Sequence, residues 1–264
     1  MGFVDNRNLR EASQEAGKWL TLWFSACLVV AGVASGGPAK AQISTPVEQQ
    51  RIEQIIHDYL LAHPEVIVES LRAADAKQKQ KQEDASRAAI VARRKELLED
   101  PSAPVGGNPK GDVTLVEFFD YRCPYCKQVE PAIEALLKDD ANLRIVYKEW
   151  PILGPPSVFA THVALAALKR GKYARFHAAM MAAKGEITED VILRVAAGAG
   201  LDGAQLKADM AAPEIDQLIK RNYDLADALG IRGTPAFVIG DNLVPGAVDL
   251  QTLKQKIKAA RAPR

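Results

Sequence analysis

The chain is poor in cysteine and carries almost no net charge, and these two shortages exclude several classes of protein. Three cysteines in 264 residues are too few for the small secreted domains that disulfide bonds hold together. Lysine and arginine number 34 against 33 aspartate and glutamate, with no long basic block, so nucleic acid is not an expected partner. A 48% share of hydrophobic residues excludes a disordered chain and suffices for one large domain or two small ones.

Long apolar runs are also scarce, and the most prominent one lies near the amino terminus. Trp19–Ala34 is almost uninterrupted apolar sequence, preceded by Lys18 and followed by Ala-Lys-Ala at residues 39–41. This order is typical of a secretory signal peptide, whereas a membrane-spanning helix needs about 20 apolar residues. We predict a cleaved signal peptide over residues 1–41 and export to an oxidising compartment. A membrane anchor through Trp19–Ala34 is the alternative.

Cleavage changes the meaning of the cysteine count. Cys27 leaves with the signal peptide, so the mature chain keeps only Cys123 and Cys126. A lipoprotein attachment site at Cys27 is disfavoured because the apolar run continues beyond it. The mature chain then has no cysteine to spare for stapling, and its stability must come from an apolar core.

Two regions at the start of the mature chain are predicted to be helical. Within residues 42–72, apolar side chains recur at the spacing of an amphipathic helix: Ile52, Ile55, Ile56, Tyr59 and Leu60. Such a short region cannot enclose a core, so it packs on another copy of the chain or folds back on the rest of a monomer. Residues 73–98 are charged and lack glycine and proline, which predicts a long solvated connecting helix. Proline and glycine at 101–109 mark a boundary, so residues 73–104 are assigned as the linker.

Residues 105–264 have the pattern of an α/β domain. The predicted strands are 113–119, 143–147 and 236–239, and the predicted helices are 127–137, 215–229 and 250–259. A mainly helical block at about 155–212 separates the two β portions.

The chemistry lies in Cys123-Pro124-Tyr125-Cys126, where a predicted strand ends and a helix begins. Free N–H groups and the positive end of the helix dipole stabilise a thiolate there, so Cys123 is the expected nucleophile. Cys126 is placed one turn further on, where it can resolve a mixed disulfide by closing the Cys123–Cys126 disulfide. A purely structural disulfide across so short a loop contributes little stability. The histidines offer no second half of a zinc site, so neither a metal nor a cofactor is predicted.

Two motifs carry a family resemblance. The run Phe118–Cys126, together with Gly-Thr-Pro-Ala-Phe at 233–237, resembles the DsbA family of thiol-disulfide oxidoreductases. Residues 52–71, ahead of a charged helix, resemble the amino-terminal region of its ScsC (suppressor of copper sensitivity) branch. The resemblance implies an α/β thioredoxin fold with a helical insertion, preceded by a small all-α oligomerisation region and a linker helix. It also implies a periplasmic location.

The resemblance assigns further roles residue by residue. Pro235 corresponds to the cis-proline that faces the redox pair beside the backbone that binds substrate, and Thr234 corresponds to the residue that tunes redox behaviour and substrate release. Glu117 corresponds to the buried acid that helps to move the proton of Cys126. Its alternative is a solvated carboxylate on an edge strand. Strongly oxidising members have a histidine where this chain has Tyr125, and lacking that imidazolium the Pro124-Tyr125 pair implies a less oxidising disulfide.

The predicted function is therefore that of an exported disulfide isomerase or reductase acting on secreted proteins that contain cysteines. A membrane thiol-disulfide reductase or oxidase would reset the pair, and the ScsC resemblance implies a homotrimer. Two alternatives remain. One is a DsbA-like dithiol oxidase, and the other is a copper-tolerance protein that binds Cu(I) through the same two thiols.

Overall fold

The computed structural model describes residues 45–262 and divides the chain into two units, with the division between His63 and Pro64. The predicted signal peptide, the alternative anchor through Trp19–Ala34 and Cys27 lie outside the described residues. Within residues 45–262, no helix has both the length and the apolar content that crossing a bilayer requires.

The first unit contributes helix α1, Pro46–Ala62. Its amino terminus is capped by Thr45, whose hydroxyl oxygen accepts a hydrogen bond from the Glu48 amide at 3.2 Å. The predicted apolar residues are mostly exposed on it: Ile52 by 44%, Ile55 by 59%, Ile56 by 52% and Tyr59 by 53%. The amphipathic pattern therefore forms the predicted helix, and most of its apolar side chains are exposed in the part of the chain that the structure describes.

The second unit contains the remaining elements. They are α2 (Glu65–Ala92), α3 (Arg94–Leu98), β1 (Val105–Gly107), β2 (Val113–Phe119), α4 (Pro124–Asp139), β3 (Leu143–Glu149), α5 (Pro155–Lys169), α6 (Tyr173–Ala182), α7 (Glu189–Gly198), α8 (Gly203–Met210), α9 (Pro213–Ala228), β4 (Ala236–Ile239), β5 (Asn242–Pro245) and α10 (Leu250–Arg261). Helices α5 to α8 occupy the predicted insertion.

The strands form one mixed sheet in the order β1-β3-β2-β4-β5. Strand β2 is central: it runs parallel to β3 and antiparallel to β4. This confirms the α/β fold with a helical insertion. Strand β1, which pairs antiparallel with β3, was not predicted, because three residues are too short to show a periodic pattern.

Two apolar layers cover the sheet, and the alternation along β2 decides which residues enter each. Leu115 and Phe119 join the larger core with α4 and the inserted helices, whereas Val116 and Phe118 join a smaller core with α9. Because successive strand residues point to opposite faces, Glu117 lies on the same face as Leu115 and Phe119. It therefore points to the side of the sheet that α4 covers.

The predicted solvated linker helix needs a correction. Helix α2 is continuous from Glu65 to Ala92 because no glycine or proline interrupts it, so there is no break near residue 72. Its last turns and α3 are partly buried: Ile90 and Leu97 each expose 1% and belong to the smaller core. The Ser86 hydroxyl also donates to the Leu229 carbonyl oxygen at 2.9 Å. Ile90 and Leu97, seven residues apart, therefore pack the end of the linker against the sheet.

Candidate functional site

The turn after β2 places the cysteine pair at the start of α4. Cys123 is the N-cap of this helix, in an extended backbone conformation, and Pro124 follows at the first helical position, where its missing N–H costs nothing. Both cysteines are free thiols in this structure and both are buried; Cys123 exposes 4% and Cys126 none. Tyr125, which lies between them in the chain, is 61% exposed.

The loop before β4 brings Thr234 and Pro235 to the same place. The peptide bond between these two residues is cis, as the resemblance implied. The Cys123 thiol donates to the Thr234 carbonyl oxygen at 3.2 Å, across 111 positions of sequence. The two motifs that carried the resemblance are therefore in contact. The substrate-binding role of the loop stays a prediction.

The pKa values of the two thiols are shifted in opposite directions, downward for Cys123 and upward for Cys126. A hydrogen bond from the Cys126 thiol lowers the pKa of Cys123 to about 6, helped by the Thr234 side chain and by the amides of Cys126 and Tyr125 and opposed by burial. Burial raises the pKa of Cys126, and both the hydrogen bond to Cys123 and the charge of Glu117 raise it further. Near neutral pH the site therefore holds one thiolate, on Cys123, and one thiol, on Cys126.

Glu117 is completely buried on the central strand, which contradicts the alternative of a solvated edge carboxylate. Neither of its carboxylate oxygens has a hydrogen-bond partner among the residues that the structure describes. Burial raises its pKa well above the ordinary value, and the charges of Glu130, Glu149 and Cys123 raise it further. The raised pKa favours the protonated form of Glu117, and its carboxyl group lies within electrostatic reach of Cys126.

A second buried polar cluster, which the sequence did not indicate, lies where β2 and β3 end. Glu149 accepts hydrogen bonds from the hydroxyls of Tyr121 and Tyr173, each at 3.0 Å, and from Thr161 at 3.1 Å. Burial nevertheless raises the pKa of Glu149 to about 8. His177 lies 3.2 Å from the Tyr121 hydroxyl through Nδ1. The one feature of the sequence that could have indicated this cluster is the order of the strands, because the carboxyl ends of adjacent parallel strands meet at one edge of the sheet.

The comparisons with known proteins agree with this geometry. Residues 114–258 match the family model described as a DSBA-like thioredoxin domain. Residues 48–81 match a second model, the copper resistance protein ScsC N-terminal domain.

Two curated relatives differ in how much of them this chain covers. A Na+/H+ antiporter NhaA 3 of Salinispora tropica is 30% identical over 160 residues, which are 60% of this chain and 24% of that protein. The chain thus spans about a quarter of the length of the curated relatives that it matches first. The thiol:disulfide interchange protein DsbA of Bordetella parapertussis is 29% identical over 55% of this chain and 71% of that protein.

Two solved structures resemble the chain over most of their own length. A thioredoxin-like oxidoreductase from Silicibacter pomeroyi is 49% identical, with a TM-score of 0.64, and covers 65% of this chain and 99% of that one. ScsC of Proteus mirabilis, in a transitional conformation, is 26% identical with a TM-score of 0.62, and the match covers 82% and 98% of the two chains.

Proposed function

This chain belongs to the DSBA-like thioredoxin domain family, and on that premise we propose that it is an exported thiol-disulfide oxidoreductase that isomerises or reduces disulfides of secreted proteins. The observation that carries the proposal is the placement of the pair: Cys123 is the N-cap of α4 and contacts the Thr234 carbonyl oxygen, and Cys126 is fully buried within the first turn of α4. This placement lowers the pKa of Cys123 and raises that of Cys126. A thiolate at neutral pH is the attacking form of cysteine, and a buried thiol beside it is a resolving group held in reserve.

The proposed reaction begins when the Cys123 thiolate attacks a substrate disulfide. The S–S bond breaks, one substrate sulfur leaves as a thiolate and takes up a proton, and a mixed disulfide forms on Cys123. In isomerisation, another substrate thiolate then attacks the mixed disulfide and releases Cys123 unchanged. In reduction, Cys126 passes its proton to a base, attacks the Cys123 sulfur and frees the reduced substrate. Two electrons reach the substrate and the Cys123–Cys126 disulfide remains.

Glu117 is the proposed base for Cys126. Only its ionised form, which burial disfavours, can accept the Cys126 proton as the new S–S bond forms, and the charge of that same form raises the Cys126 pKa. Its lack of hydrogen-bond partners in the described part of the chain supports this role, because no competing bond has to break when it gains or loses a proton.

The direction of electron flow is proposed from Tyr125. Hydrogen bonds, rather than a neighbouring imidazolium, lower the pKa of Cys123 to about 6. Since a less stabilised thiolate makes a less oxidising disulfide, isomerisation or reduction is favoured over bulk oxidation. Equilibration with glutathione tests this. We expect a potential well below about −120 mV, the value typical of the strongest periplasmic oxidants, and a value that high would support the dithiol oxidase instead.

Trapping of substrates tests the class of activity. In Cys126→Ser, mixed disulfides with secreted proteins should accumulate on Cys123, because the resolving thiol is gone. The matched variant Cys123→Ser should trap none. If Cys126→Ser traps no proteins but binds Cu(I) less tightly than the natural pair, the copper-binding alternative replaces this proposal.

The exposed apolar face of α1 supports a homo-oligomer, and we propose a trimer in which several active sites surround one substrate. Light scattering on the mature protein should give a mass above that of one chain. Ile55→Lys should lower this mass, whereas Gln54→Lys, also on exposed α1 surface, should leave it unchanged. A monomeric mass for the unaltered protein would contradict the trimer. A deletion of residues 42–71 should then lose isomerisation and keep dithiol chemistry.

The proposed site of action is the periplasm. The signal peptide would direct export there and would be cleaved after residue 41. Mass spectrometry of the exported protein should give a mature chain that starts at Gln42. Retention of residues 19–34 in the membrane fraction would favour the anchored alternative. The pair is proposed to be reset by a membrane thiol-disulfide reductase, or by an oxidase if the pair is mostly oxidised in the cell.

A further inference from the structure

Asp120 is a buried carboxylate that the thiol exchange steps do not use. It lies in the turn between β2 and α4, three residues before Cys123, and exposes only 1%. A buried carboxylate is costly unless hydrogen bonds compensate for the lost water. Its partners therefore show what keeps it there.

Both oxygens of the Asp120 carboxylate are fully occupied. Oδ1 accepts hydrogen bonds from the Arg122 amide at 2.7 Å and the Ser157 hydroxyl at 2.8 Å. Oδ2 accepts from the amides of Ile152 at 2.8 Å and Leu153 at 3.0 Å. Three of these four donors belong to the loop after β3 or to the first turn of α5. The carboxylate thus joins the turn before the nucleophile to a segment about thirty residues away.

The main chain of the same residue contacts both cysteines. Its carbonyl oxygen accepts a hydrogen bond from the Cys123 amide at 3.0 Å. Burial dominates the raised pKa of Cys126, and a hydrogen bond from the Asp120 main chain to the Cys126 sulfur partly opposes it. Any shift of this turn therefore moves both sulfurs relative to Thr234 and to the amides at the start of α4.

We propose that Asp120 is a positioning residue that fixes the geometry of the Cys123–Cys126 pair, with its carboxylate anchored on residues 152–157 and its main chain on the two cysteines. The proposal rests on the proposed function only in taking Cys123 as the attacking thiol. It assigns Asp120 no contact with the substrate and no proton transfer.

The far end of α4 provides a matched comparison. Asp140 makes the same local turn, since its Oδ1 accepts from the amide two residues on, that of Asn142, at 3.0 Å. Its Oδ2 pairs with Arg261 at 2.9 Å, whose side chain is 37% exposed. Asp140 therefore shares the turn geometry of Asp120 but contacts neither sulfur, which makes Asp140→Asn the control.

The test is the titration of the Cys123 thiolate by its ultraviolet absorbance in the reduced, full-length mature protein. In Asp120→Asn, the amide presents an NH2 group to two donors whichever way it is turned, so two of the four bonds are lost. We expect the midpoint to rise by about half a pH unit, about a threefold loss of thiolate, as hydrogen bonds to the sulfur lengthen. Removal of a negative charge alone would move the midpoint down. Asp140→Asn should leave it unchanged.

Ser157→Ala provides an independent measurement because it keeps the charge and removes one donor. We expect a smaller rise in the same direction, and this variant decides the question if Asp120→Asn does not fold. An unchanged or lower midpoint in the folded variants overturns the proposal. The titration uses no substrate, so a failure to trap substrate proteins would count against the proposed function and leave this result standing.

Discussion

Cys123 and Cys126 differ in acidity because only Cys123 lies at the amino-terminal cap of α4. Hydrogen bonds from the Cys126 thiol and from two backbone amides lower the pKa of Cys123. Cys126 lies inside the helix, where burial raises its pKa and the ionised form of Glu117 raises it further. Position within one helical turn therefore distinguishes the proposed nucleophile from the proposed resolving thiol.

Alkylation of the reduced protein tests this difference. The rate at Cys123 should be half-maximal at about pH 6, constant above about pH 7 and about tenfold lower for each unit below pH 5, because only the thiolate reacts. Mass spectrometry should find one adduct. The variant Cys123→Ser is the control and should react slowly throughout this range. A midpoint near the ordinary thiol value would contradict the assignment.

Glu117 predicts a pH-dependent effect on stability. Because its pKa is raised in the folded protein, folding takes up a proton above pH 4.5, so stability falls as pH rises through this window. The variant Glu117→Gln has no titrating carboxyl group at this position, so it should not show this fall in stability. In urea unfolding of the oxidised protein, the free energy of unfolding of the variant, relative to that of the unaltered protein, should increase steadily as the pH is raised from 5 to 8. Glu134→Gln, at an exposed site on α4, should show no such growth.

At the scale of elements, a buried ion pair fixes α3 and the turn after it to the sheet. Lys148 on β3 exposes 1% and donates to the Glu96 carbonyl oxygen at 2.9 Å and to the Asp100 carboxylate at 3.3 Å. A buried ammonium without a counter-charge is costly, and burial already lowers the pKa of Lys148. The end of the linker is therefore an integral part of the α/β domain.

Asp100→Asn should destabilise the protein by about 3 kcal/mol, because it leaves the Lys148 charge without its counter-ion. Equilibrium unfolding in urea measures this. The control is Asp112→Asn, which breaks the exposed pair with Arg261 at 2.7 Å and should cost less than about 1 kcal/mol. Equal effects of the two variants would mean that the Lys148 pair contributes no more than a surface pair.

The pattern of elements also shows what local sequence could predict. Strand β2 was predicted from a continuous apolar run, and helix α4 was predicted from the residue pattern over 127–137, three residues short of its start at Pro124. The burial of Ile90 and Leu97 was missed because alternating charges around them resemble a solvated helix. Whether such a face is covered depends on α9 and β4, far away in the chain.

At the scale of the whole molecule, the smaller core requires the end of the linker. A fragment of residues 105–262 lacks Ile90 and Leu97, and each fully buried side chain of this type contributes about 1.5 to 3 kcal/mol. We expect this fragment to be at least about 3 kcal/mol less stable than residues 73–262 in urea unfolding. Equal stability of the two fragments would place the domain boundary at residue 105.

The sequence by itself predicted the proposed reactive unit: two cysteines where a strand ends and a helix begins, with a Thr-Pro pair far downstream that the family resemblance matches to them. Each of these two motifs is made of residues that are neighbours in the chain. Only the tertiary structure decided that Glu117 is completely buried, that Thr234 touches Cys123 and that residues 152–157 bind Asp120. These contacts join segments from about thirty to more than a hundred residues apart, and packing of the sheet and the inserted helices brings them together.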